Sequence, residues 1–136
     1  MAHARAHFVH ETPSTVAFMD ELRQPADVAH VLVIPREHVE NIYGIGDALG
    51  GELFAAHALI ARAVKRAFAP DGIRTWSSNE PGAGQEIPHF HLHVYPRRSG
   101  EPFPLPRRNP KLPLPGDLLR EGAVRIQRAI AELRAE

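Results

Sequence analysis

Residues Pro88 to Pro96 read PHFHLHVYP, and this strict alternation constrains the chain more than any other segment. On a β-strand successive side chains point to opposite faces, so residues two apart share a face at about 6.5–7 Å. The segment therefore reads as a strand with two distinct faces. Phe90, Leu92 and Val94 turn to a core, and His89, His91 and His93 stand in a row on the other side. Three imidazoles at that spacing are poor packing material, so the row reads as a site. Two chemistries use such a row. Three neutral imidazoles and a water make an open zinc site. Alternatively, a neutral imidazole nitrogen attacks phosphorus while its neighbours stabilise charge and move protons. Spacing alone leaves both open.

The remaining segments give this strand its setting. Ser14 to Met19 (STVAFM) reads as a strand, Glu21 to Ala29 as a loop, and His30 to Ile34 (HVLVI) as a second strand closed by Pro35. Asp47 to Phe68 has the 3.6-residue apolar period of a long helix. Its stripe is Leu49, Leu53, Phe54, Ile60, Ala61, Val64 and Phe68, with Asp47 as N-cap and Pro70 and Gly72 as terminators. Ile73 to Ser78 reads as a strand, and Asn79 to Gln85 (NEPGAGQ) as a loop. Pro96 to Pro115 is crowded with proline and reads as irregular extended chain. A last helix is expected from Asp117, with Leu118, Leu119, Ala123, Ile126, Ile130 and Leu133 on its apolar side. The fold class is α+β: a mostly antiparallel sheet with one long helix and a C-terminal helix. One domain is expected over residues 1–136, with a frayed N-terminus (1–8) and a Pro-rich segment (96–116) before the last helix.

Composition excludes several functions. Lys plus Arg and Asp plus Glu number 16 each, so overall charge makes no case for nucleic acid or an acidic membrane. There is no cysteine, which removes disulfides, thiolate metal sites and Cys nucleophiles. No apolar run approaches the ~18 residues of a membrane span, and Met1 to His10 lacks a signal-peptide core. The default location is cytoplasmic. Arg97, Arg98, Arg107, Arg108 and Lys111 form a local basic strip, read either as a solvated surface or as a phosphate clamp. His38 is expected to begin a turn, His57 to lie at the helix surface, and Tyr43 and Trp76 to pack.

The flank of the histidine strand, Asn79 to Arg97, resembles the signature of the histidine triad (HIT) superfamily of nucleotide hydrolases and transferases. The carriers are Asn79, the loop Ala83-Gly84-Gln85, the run His89-Phe90-His91-Leu92-His93, and Pro96-Arg97. Ala17 to Asp20 looks like the family's nucleoside-binding strand. His30 to Val39 looks like its second strand, with Ala29 where glycine is usual. The resemblance covers roughly Val9 to Arg98 and implies a HIT-like fold, a homodimer, and no cofactor. It implies that His91 attacks the α-phosphate of a purine nucleotide or nucleotide conjugate. A covalent nucleotidyl-histidine would form, and water would then release the nucleoside monophosphate. His89, His93 and His30 would orient and stabilise. Phe18 and Asp20 would hold base and ribose, and Asn79, Gly84 and Gln85 the phosphate side. Two alternatives use the same face: a nucleotide-binding protein with negligible turnover, and a His-ligated zinc hydrolase.

Three departures from the family pattern bear on this. The loop from Asn79 to His89 is one residue shorter than the common form. Glu86 stands where many members carry Ser or Thr, as a proton donor or as a cap of the loop. The cysteines that bind a structural zinc in many bacterial relatives are absent, so no metal is expected.

Overall fold

A computed structural model describes residues 7–21, 29–101 and 113–136. Their elements run β1 (Phe8–Glu11), β2 (Thr15–Met19), β3 (Val31–Pro35), α1 (Asp47–Phe68), β4 (Gly72–Trp76), β5 (Leu92–Arg97) and α2 (Gly116–Ala135). The five strands form one antiparallel sheet in the order β1-β2-β3-β5-β4. The expected α+β architecture is therefore present. The segments expected at Glu21 to Ala29 and Pro96 to Pro115 lie mostly outside the described residues.

Both helices cover one face of the sheet. Ala17, Met19, Val31, Val33 and Val94 on that face join Leu53, Ile60 and Val64 of α1 and Leu119, Ile126 and Ile130 of α2 in one core. Full burial of each such aliphatic side chain stabilises the fold by roughly 1.5–3 kcal/mol. The opposite face carries a smaller cluster: Val16, Phe18, Leu32 and Ile34, with Phe8 packed against it. Period-two alternation along β2 and β3 divides the side chains between the two faces.

Several local expectations are corrected. The chain expected to fray to residue 8 enters the sheet there: Phe8 starts β1, its ring sits edge-on to Phe18, and Gln127 Nε2 donates to its carbonyl. Gly46, not Asp47, is the N-cap of α1, and Asp47 opens the first turn, where a carboxylate favours the helix dipole. The last helix, expected from Asp117, begins at Gly116 with Pro115 at its cap position. Phe54 and Leu118, assigned to buried stripes, are 70% and 42% exposed. Each is one residue from a buried position, Leu53 and Leu119, and so is turned about 100° around the helix from it. The α1 terminus closes as expected before Pro70, with Ala69 in the left-handed region at φ 47°. Arg98 donates to the freed carbonyls of Phe68 and Ala69. That removes Arg98 from the phosphate clamp. Arg107, Arg108 and Lys111 lie outside the described residues.

Candidate active site

The histidine strand is shorter than its alternation implies. Ladder pairing begins at Leu92; the Phe90 N–H bonds to the Val39 carbonyl instead. The faces still alternate. Phe90 and Val94 enter the main core, and Leu92 packs against it. His89, His91 and His93 are all buried on the sequence's other face.

Strand register explains what surrounds them. Antiparallel pairing sets His93 between Leu32 of β3 and Trp76 of β4. Met19 pairs with Val31, so the next step brings Asp20 opposite His30, and the Asp20 N–H bonds to the His30 carbonyl. Asp20 Oδ2 lies 3.1 Å from His30 Nδ1, and both side chains are buried. His30 Nε2 lies 3.0 Å from His93 Nδ1. Asp20, His30 and His93 thus form a continuous polar line leading from the interior toward the triad. Tyr95 packs edge-on to His30 at 5.1 Å, and Trp76 stacks on His93 at 4.2 Å with planes 1° apart.

The other two histidines are held by backbone carbonyls. His89 Nε2 donates to the Pro35 carbonyl at 2.9 Å. His91 Nδ1 donates to the His89 carbonyl at 2.8 Å. A carbonyl oxygen only accepts, so the proton in each contact belongs to the ring nitrogen. A neutral His91 then carries its lone pair on Nε2. His91 and His93 line a cleft completed by Trp76 and Ser78 of the β4 side and by Gly84 and Glu86 of the loop.

The loop is built by the residues assigned to phosphate. It contains one 3₁₀ turn, Pro81–Ala83, and Gly84 follows at φ 95°, a conformation that favours glycine. Gln85 is consumed internally: its Oε1 accepts from the Glu80 N–H, and its Nε2 donates to the carbonyls of Glu40 and Ile87. Asn79 Oδ1 accepts from the Ile42 N–H. Both side chains pin the loop to the segment before α1 rather than lining the cleft. Of the other expected site residues, Phe18 is buried in the smaller cluster and Asp20 beside His30.

Four residues escaped the sequence reading. Trp76, expected merely to pack, lines the cleft. Tyr43, also expected to pack, is exposed and donates to Glu80 Oε2 at 2.9 Å. Its hydroxyl pKa is raised by that contact and by the carboxylate's charge. His57, expected at the surface, is buried and donates from Nε2 to the His93 carbonyl. Burial lowers its pKa, and the carbonyl contact opposes the shift. His38 lies edge-on to His89 at 5.4 Å. Among the described residues no cluster of three His, Asp or Glu side chains is arranged to hold a metal ion, and no helix is long and apolar enough to cross a membrane.

The HIT domain family model matches residues 2–100. A Bacillus subtilis protein named Protein hit is 39% identical over 65% of this chain and 60% of its own length. A hypothetical histidine triad nucleotide-binding protein of Sulfolobus tokodaii superposes with a TM-score of 0.82 at 28% identity, covering 95% of this chain and 86% of that one. Two further relatives carry hydrolase names. The adenosine 5'-monophosphoramidase of Schizosaccharomyces pombe is 28% identical over 67% of this chain and 64% of its own. The bis(5'-adenosyl)-triphosphatase of Saccharomyces cerevisiae is 33% identical over 54% and 36%. The family model spans most of the chain and the solved relatives share its fold, and the chain belongs to the HIT family.

Proposed function

We propose that this protein is a nucleotide hydrolase or nucleotidyl transferase in which His91 attacks the α-phosphate of a purine nucleotide or nucleotide conjugate. The observation that carries the reading is the 2.8 Å contact from His91 Nδ1 to the His89 carbonyl. It commits the Nδ1 proton and leaves Nε2 as a nucleophile at the cleft. An Nε2–phosphorus bond forms as the bond to the leaving group breaks, and the leaving group takes a proton. Water then displaces His91, and a nucleoside monophosphate departs.

The buried line behind the triad suits the second step. The attacking water gives up a proton, which His93 can take at Nε2. His93 then passes its Nδ1 proton to His30 Nε2, 3.0 Å away. His30 becomes an imidazolium facing the Asp20 carboxylate at 3.1 Å, where the opposite charge stabilises it. Gly84 lines the cleft, and its N–H is bonded to the Pro81 carbonyl within the loop, so the loop shapes the phosphate side of the cleft by its fold. The base is assigned to the sheet face that carries Phe18 and Leu32, which form its buried floor.

Homodimerisation and a cytoplasmic location belong to the same proposal. Edge strand β4 and the exposed Phe54 of α1 support an interface. Light scattering at micromolar concentration should give twice the chain mass. For the mechanism, wild-type protein is mixed with a nucleotide substrate for less than one turnover. Intact mass is then measured under alkaline conditions, which preserve a phosphorus–nitrogen bond. The expected result is one nucleotidyl group per chain, located on His91. Turnover without that adduct at any time would remove the covalent mechanism.

A further inference from the structure

We propose that Arg74 and Trp76 form the leaving-group subsite of this cleft and that it receives a phosphate chain. The proposal rests on the nucleotidyl-transfer reading above. The strand order supplies the direction. Phe18 and Leu32 lie on β2 and β3, His93 on β5, and β4 follows at the sheet edge. A nucleotide with its base over β2 and β3 and its α-phosphate at the triad directs its leaving group toward β4.

One β4 side chain lines the cleft there, and a second lies over it. Trp76 lines the cleft beside His91 and His93, and its indole is fixed by the parallel stack on His93. Arg74, two residues earlier on the same strand face, places its guanidinium 5.2 Å from the Trp76 ring centroid. A guanidinium held over an aromatic ring is restrained and weakly hydrated, and its fork matches phosphate oxygens. Charge balance points the same way. Glu86 puts a carboxylate on the loop side of the cleft, so a phosphate chain needs a cation opposite. Arg97 and Arg98 are turned to the backbone carbonyls of Glu101, Phe68 and Ala69. Arg74 is the basic side chain on the Trp76 face of β4; it stands opposite Tyr95, just outside the residues that line the cleft.

The test compares kcat/KM for two substrates with the same adenylyl group. Diadenosine triphosphate releases a phosphate chain, and adenosine 5'-phosphoramidate releases an amine. Magnesium is held constant. Arg74→Gln is expected to lower the triphosphate-to-phosphoramidate ratio of kcat/KM at least tenfold. Trp76→Leu should lower it in the same direction, and Trp76→Phe, which keeps an aromatic face for the cation, should restore most of it. Adduct formation on His91 is followed for every protein. If the wild type forms no adduct with either substrate, the nucleotidyl-transfer reading fails and the subsite with it. If adducts form and the variants lose both substrates equally, the subsite alone is overturned, because Arg74 and Trp76 would then only support His93.

Discussion

Tyr43 donates its hydroxyl proton to Glu80 Oε2 at 2.9 Å, and Glu80 holds a backbone φ of 74° with ψ 153°. That conformation is nearly exclusive to glycine, so a side chain there costs about 1–3 kcal/mol. The Tyr43 contact and the Gln85 amide hold the strained residue in place from both sides. Glu80→Gly should therefore raise thermal stability, by about 1 kcal/mol, while removing the Tyr43 latch. Glu80→Ala keeps the strain and loses the latch, so it should be less stable than wild type. Denaturant melts of the three proteins check this; the reverse order would mean that the loop is relaxed in solution.

His91→Ala should abolish turnover while leaving nucleoside monophosphate binding largely intact. Losing a covalent nucleophile typically costs several powers of ten in rate, or more than ~4 kcal/mol of transition-state stabilisation. In the proposed reading the nucleoside is held by residues other than His91, so its removal leaves binding in place. Isothermal titration with adenosine monophosphate and steady-state kinetics separate the two effects. A variant keeping over a tenth of the wild-type rate would take His91 out of the nucleophile's role.

Glu86 faces the cleft from the loop and is exposed, with Gly84 two residues before it. As a proton donor it matters for amine leaving groups, which must be protonated to depart, and not for a nitrophenol. Glu86→Gln should then slow a phosphoramidate at least tenfold more than a nitrophenyl ester. Equal losses on both would leave Glu86 only a role in positioning the loop.

The buried His57 should make stability fall in acid. Its folded pKa lies below the ordinary histidine value because burial disfavours the charged ring. The unfolded chain therefore binds the proton more readily as pH drops below about 6.5. The contribution is neutral above that pH and destabilising below it, until the folded pKa is reached. The slope is at most about 1.4 kcal/mol per pH unit for one proton. His10, also lowered by burial and by Arg134, acts in the same sense. Melts of His57→Gln between pH 7.5 and 5, pH values chosen to span about 6.5, should show a shallower decline than wild type, with a remainder from His10. Parallel declines would mean that His57 becomes protonated without unfolding the helix contact.

The periodicities of the chain fixed its local structure. The 3.6-residue pattern between Asp47 and Phe68 marks α1, with its cap one residue earlier than expected, because a helix is specified by neighbours three and four positions away. Alternation separated Phe90 and Val94 from the three histidines, because a strand's faces depend only on parity. The same signals failed where the outcome depends on distant chain. Nothing near His57 announces that it reaches the carbonyl of His93, and helical period alone placed Phe54 on the buried side. Trp76 faces His93, and Asp20 faces His30, because of the strand register, a relation between segments tens of residues apart. Gln85 and Asn79 were expected on the phosphate side, but only the folded loop shows their amides bonded to backbone groups of the loop and its neighbour. Sequence determined which residue types stand at the site and on which face. Tertiary structure decided their hydrogen-bond partners, and through them which nitrogen of His91 is bonded to the His89 carbonyl, because those partners come from the folded backbone.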